Sequence, residues 1–141
     1  MKISTRGRYS TRLMLELASR HNQGPIFLKD ISKAQDISLK YLSQLIIPLK
    51  IAGLVKSTRG AHGGYTLARE PENITLREIV EAVEGPIALV ECINDPQLCY
   101  RYGECVSKEI WAEITKDIYM KLDSINLKQM LAKQEKLEKE V

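Results

Sequence analysis

The sequence predicts a mainly α-helical fold with one small β wing: a winged helix–turn–helix followed by a long C-terminal dimerisation helix. Three observations predict it. Residues 28–52 hold two short helical patterns separated by a break. Residues 54–68 hold two strand patterns around a basic, glycine-rich turn. Trp111, Ile114, Ile118, Leu122 and Ile125 then recur at steps of three and four, the narrow seam of a helix that packs on a partner.

The elements follow in order. Residues 4–21 carry Tyr9, Leu13, Met14, Leu17 and Ala18 on one face and predict a first helix. Its opening turn, Ser4-Thr-Arg-Gly-Arg8, is a candidate contact for a DNA backbone or a partner subunit. His21-Asn-Gln-Gly-Pro25 reads as a turn. Leu28, Ile31 and Ala34 give a second helix, which breaks at Asp36-Ile37. Ser38 is a good N-cap, because its hydroxyl accepts a free backbone N–H of the next turn. Leu42, Leu45, Ile46 and Leu49 mark the buried stripe of a third helix. Pro48 removes one backbone bond, so the helix is expected to kink beyond Ile46.

Gly53 stands at a helix C-terminus, and Leu54–Thr58 and Tyr65–Ala68 are strand-like. Further on, Thr75 and Glu78 form a capping box, with Ile74 able to staple against Ile79. Gly85-Pro86 stops that helix. Residues 87–107 show no period and contain every cysteine. Ser107 is the expected cap of the long helix. A break at Ser124-Ile125 precedes a last helix, Asn126 to Leu137, with a frayed Glu/Lys-rich end. The chain thus divides into a DNA-binding domain (1–85), a cysteine loop (86–107) and a dimerisation helix with C-terminal helix and tail (108–141).

Charge separates the two halves. Residues 1–69 hold twelve Lys/Arg against three Asp/Glu; residues 70–141 hold nine against fifteen. A basic half bearing a helix–turn–helix pattern suits phosphate contact, and an acidic half does not. No apolar run approaches the ~20 residues that span a bilayer, and the N-terminus lacks the apolar core of a secretory signal. A cytoplasmic protein without membrane contact is expected. Catalysis is not suggested: His21 and His62 lie in turns, with no nucleophile–base spacing.

The expected partner is double-stranded DNA. On the reading helix, Lys40, Tyr41, Ser43 and Gln44 lie opposite the buried stripe, with Ser38 at its start. Gln44 suits adenine, Ser43 either base type, and Lys40 and Tyr41 suit phosphates, as does Lys50. Arg59 at the wing tip suits a minor groove or a phosphate. Gly60, Gly63 and Gly64 permit close backbone approach, and His62 is a loop or phosphate contact. A homodimer formed through Trp111, Ile114, Ile118 and Leu122 places two reading helices roughly 34–36 Å apart on a palindromic operator.

The cysteines run Cys92-x6-Cys99-x5-Cys105. Zinc sites use tighter pairs, whereas wide spacing suits a multi-iron cluster. Three thiols leave one position for a weaker ligand, a second subunit or solvent. On spacing alone, metal binding stands beside a thiol redox switch and three incidental thiols.

Several segments together resemble one family. They are Ile3–Tyr9, Tyr41–Leu45, the wing Gly53–Tyr65, Leu76–Pro86 and the cysteine triplet. The chain resembles the bacterial winged-helix regulators that include IscR, NsrR and CymR, over residues 1 to about 130. The resemblance implies a dimeric transcription regulator with an iron–sulfur cluster, 2Fe–2S rather than 4Fe–4S, at Cys92, Cys99 and Cys105, controlling cluster-assembly genes. CymR-like members lack the cysteines and sense cysteine supply through a partner enzyme. That leaves a thiol-redox or cysteine-supply regulator without a cluster as the alternative. There are departures. IscR-like members have a histidine ligand where this chain has Lys108, and NsrR-like members an aspartate where it has Arg8. The fourth ligand then falls to Glu104, Asp95 or a second subunit. The reading helix often has glutamate where this chain has Ser43, and serine relaxes the base preference.

Overall fold

Hydrophobic spacing, caps and turns build six helices and one hairpin in the computed structural model, which describes residues 2–141. Helix α1 (Thr5–Ser19) starts where the Ser4 hydroxyl accepts the Arg6 N–H at 3.2 Å. It buries Leu13, Met14, Leu17 and Ala18. Helix α2 (Leu28–Gln35) buries Ile31, but Ala34 faces solvent. Two turns of helix present too narrow a stripe to seat three residues; Ile37, beyond the break, is buried instead. The break itself is a left-handed residue, Asp36 (φ 51°). Arg12 of α1 braces it, donating to the Gln35 carbonyl and, at 3.2 Å, to its side-chain oxygen.

Helix α3 (Leu39–Ile51) is capped as expected, with the Ser38 hydroxyl accepting the Tyr41 N–H at 3.1 Å. Its stripe Leu42, Leu45, Ile46 and Leu49 is buried to within a few per cent. The helix continues through Pro48 to Ile51. Proline takes one N–H from the ladder, and packing of Leu49 holds the last turn.

The wing pairs β1 (Val55–Thr58) with β2 (Gly64–Leu67), antiparallel, Val55 opposite Leu67 and Thr58 opposite Gly64. Ile26 adds a bridge to Tyr65, with hydrogen bonds of 2.9 and 2.8 Å, so the wing is stitched to the chain ahead of α2.

Helix α4 (Leu76–Glu84) has the full Thr75–Glu78 capping box, and Ile74 and Ile79 are both fully buried. Residues 87–105 hold three single 3-10 turns, at Glu91–Ile93, Pro96–Leu98 and Tyr102–Glu104. Helix α5 (Val106–Asp123) begins two residues earlier than expected: Cys105 is its N-cap and Ser107 lies inside it. Helix α6 (Leu127–Glu140) runs to Glu140, beyond the expected frayed end.

The C-terminal segment does not stand apart from the first domain. Leu127 is fully buried in the main core, with Met130 and Leu131 packed against it. The Leu76 N–H donates to the Ile125 carbonyl at 2.8 Å, and the Leu127 N–H to the Ile74 carbonyl at 3.0 Å. Only α5 stays outside, with Thr115 its single buried residue among those described.

Candidate functional site

Residues that can meet a duplex lie on α3 and the wing. On α3, Ser38, Lys40, Ser43 and Gln44 are exposed, and no acidic residue lies on the helix. Lys50 is exposed too, but its ammonium donates to the Ser57 hydroxyl at 3.1 Å, tying α3 to the wing. Arg59, Gly60 and His62 are exposed at the wing tip. These groups form one basic, donor-rich surface with a convex helix at its centre, the shape that fits a major groove with a hairpin alongside.

Four expected contacts are placed differently. Tyr41 is half-buried, its ring edge-on to Tyr9 at 5.7 Å, so it fastens α3 to α1. The Ser43 hydroxyl donates to the Leu39 carbonyl at 2.8 Å, which spends its proton on its own helix. Serine presents outward only a methylene and lone pairs. Gly63 is buried, and a Cβ there would run into the Thr58 carbonyl oxygen. Gly64 has φ 131°, and a Cβ would stand 2.5 Å from the Ile26 carbonyl oxygen. Both glycines close the hairpin on itself and on Ile26.

Exposed aliphatic side chains on the same face were not singled out from the sequence. Leu39 is 47% exposed, Ile47 57% and Ile51 82%. Their signal was available: they fall outside the stripe of Leu42, Leu45, Ile46 and Leu49.

The thiol loop lies elsewhere. Cys92, Cys99 and Cys105 are free and half-buried. Each sits beside or within one of the 3-10 turns. Three soft thiol donors in one loop suit an iron–sulfur cluster chemically. Their assembly is a separate matter: among the described residues, no three His, Cys, Asp or Glu side chains gather as a metal-holding group. At the position of the expected histidine, the Lys108 ammonium lies 3.7 Å from the centre of the Tyr102 ring and donates to the Tyr102 carbonyl. It serves as a clasp on the last 3-10 turn.

The root of this loop is bonded to α5. The Ile87 N–H donates to the Tyr119 hydroxyl at 2.5 Å, and the Leu89 N–H to the Thr115 hydroxyl oxygen at 3.3 Å. Thr115 gives its own proton to the Trp111 carbonyl at 2.7 Å. Arg77 of α4 stacks on Tyr119 at 4.5 Å, and its hydrogen bond to Glu81 raises its pKa above the ordinary arginine value. Another side of α5 is apolar and open. Trp111 is 41% and Ile114 38% exposed, with Ile118 and Leu122 half-buried. No helix among the described residues is long and apolar enough to cross a membrane.

Comparison with known proteins bears on the whole chain. The family model described as "Rrf2: Iron-dependent Transcriptional regulator" matches residues 3–133. The HTH-type transcriptional regulator CymR of Bacillus subtilis is 45% identical over 130 residues, covering 92% of this chain and 89% of that protein. The solved structure of B. subtilis CymR, titled the global cysteine regulator, superposes with a TM-score of 0.78 at 42% identity, over 94% of this chain and 97% of that one. The structure of T. potens IscR gives a TM-score of 0.79 at 40% identity, over 97% of this chain and 90% of that one.

Proposed function

Because the chain belongs to the Rrf2 family of transcriptional regulators, we propose that it binds double-stranded DNA as a homodimer and reports iron–sulfur supply through Cys92, Cys99 and Cys105. The relatives are regulators, not enzymes. The observation that carries the reading is the double attachment of α5. One side holds the root of the thiol loop through Thr115 and Tyr119; another is the open apolar seam of Trp111 and Ile114. A change in the loop therefore acts on the helix that joins the subunits.

Two copies joined along this seam set two α3 helices on successive major grooves of a palindromic operator. Gln44 reads a base edge there, Lys40 and Arg59 hold phosphates, and Ser38 caps the helix that carries them. A bound cluster, 2Fe–2S in this reading, supplies thiophilic iron whose oxidation state and presence depend on the cell's iron and oxidants. Cys92, Cys99 and Cys105 would hold it. Lys108 stays with Tyr102, so Glu104, Asp95 or a residue of the second subunit completes the set. The regulated genes in this reading are those for cluster assembly, and the site of action is the cytoplasm.

The test is anaerobic purification with iron and sulfide reconstitution, followed by gel shift at several salt concentrations. Bound iron with visible absorption, both lost in Cys99→Ser, is the expected result. A colourless protein that takes up no iron overturns the cluster reading.

Three free thiols that do not gather with one another into a metal-holding group among the described residues favour a second reading, a thiol-redox or cysteine-supply regulator that acts through a partner enzyme without a cluster. It predicts no iron and a DNA affinity that follows oxidant or the partner.

A further inference from the structure

Helix α3 presents an aliphatic ridge on the side turned away from its core. Leu39, Ser43 and Ile47 are spaced four residues apart and lie along one row of the helix surface. Leu39 is 47% and Ile47 57% exposed. Ser43 between them has given its proton to the Leu39 carbonyl, so the whole row offers no hydrogen-bond donor. Donors stand on either flank: Lys40 and Gln44 on one side, Lys50 on the other. Neither Leu39 nor Ile47 belongs to the core cluster or packs against it, so both leave aliphatic carbon in water in the free chain.

The charge around the ridge names its occupant. Lys40 and Lys50 are exposed on the same helix, Lys56 and Arg59 are exposed on the wing that Lys50 ties to it, and α3 has no acidic residue, which fits the polyanionic walls of a major groove. The one apolar group on the floor of that groove is the C5-methyl of thymine. Eight residues at 1.5 Å rise separate Leu39 from Ile47 by about 12 Å along the helix. At that separation the two side chains cannot meet the same base pair, so each would have its own.

We propose, on the reading that α3 enters duplex DNA, that Leu39 and Ile47 are specificity-determining residues that pack on the methyl groups of two different thymines in each half-site. Gln44 lies one turn before Ile47 and reads adenine by hydrogen bonds. The chain thus selects A·T pairs twice, by amide on adenine and by aliphatic carbon on thymine.

The experiment separates this from the DNA-binding reading itself. A duplex is selected in vitro from a random pool by the full chain, and each dT in it is then replaced by dU, which removes only the methyl. The expected result is a loss of roughly fourfold in affinity at each of two thymines of a half-site, the worth of one buried methyl. In Leu39→Ala one of these two losses disappears, and in Ile47→Ala the other does. Both side chains are exposed, so both variants keep the helix content of the parent. A selected duplex on which dU has no effect, or has the same effect in the variants, overturns the thymine-methyl reading and leaves DNA binding standing. A pool that yields no enriched duplex overturns both.

Discussion

The Glu84 carboxylate accepts the backbone N–H of Gly7 at 3.1 Å. The same oxygen takes the Ser4 N–H at 2.9 Å and the Ser4 hydroxyl. The C-terminal residue of α4 thus closes the open N-terminus of α1, where a negative charge also meets the positive end of the helix dipole. Glu84 stands directly before Gly85-Pro86, where the thiol loop begins. The carboxylate thus ties the start of the first helix to the end of α4, immediately ahead of the loop.

A side chain at Gly7 breaks this contact. A Cβ there would lie 2.8 Å from both Glu84 Oε1 and Ile3 Cγ2. Gly7→Ala is expected to push the Glu84 carboxylate off the helix end, a loss that alanine's better helix propensity partly offsets, for a net cost of about 1 kcal/mol or less, and Glu84→Gln to cost about 1 kcal/mol, since the amide keeps an acceptor but loses the charge. Urea unfolding measures both; a Glu84→Gln midpoint equal to that of the parent contradicts the contact.

Helix α6 is part of the core, and Leu127 is its key. The side chain is fully buried. Leu127→Ala is expected to cost about 2–5 kcal/mol. A variant with undiminished thermal stability shows instead that α6 is a dispensable tail.

The open seam of α5 predicts the assembly state. Ile114→Lys places a charge where a second subunit should sit, yet the residue is 38% exposed in the single chain. The variant is expected to fold normally and to sediment as a monomer. If parent and variant sediment alike, the seam is not the subunit contact.

Tyr119 couples the thiol loop to that seam. Tyr119→Phe removes the oxygen that receives the Ile87 N–H and should cost about 1 kcal/mol. The informative readout is the loop: Cys92 should react faster with a thiol reagent in the variant. An unchanged labelling rate argues that the Ile87–Tyr119 bond does not hold the loop.

At the wing, Arg59→Ala is expected to weaken DNA binding about equally on all sequences and to lower the salt slope by about one. Gln44→Ala should instead relax discrimination at one base pair by about 1–3 kcal/mol. Affinities on selected and scrambled duplexes across a salt series separate the two effects.

Local rules account for what was legible in the residues. Ser38 before Leu42-x2-Leu45-Ile46 announces a capped amphipathic helix, because the cap and the stripe are each satisfied within four residues. Thr75 with Glu78, Gly85-Pro86 and the Gly-rich wing are legible for the same reason. So were the exposed positions of Lys40, Gln44 and Arg59, which follow from helix and hairpin periodicity.

Contacts between distant segments are not written in any local pattern, and these only the tertiary structure decided. Tyr41 left the reading face because Tyr9 stands beside it, and Gly64 is required by Ile26 rather than by DNA. Leu127 entered the core built by α1–α4 and the wing, while Lys108 turned to Tyr102. The sequence by itself determined which segments are helix, strand or loop and where charge gathers, since those depend on near neighbours and on water. The choice of partners for half-polar side chains depends on burial that exists only once the chain has folded.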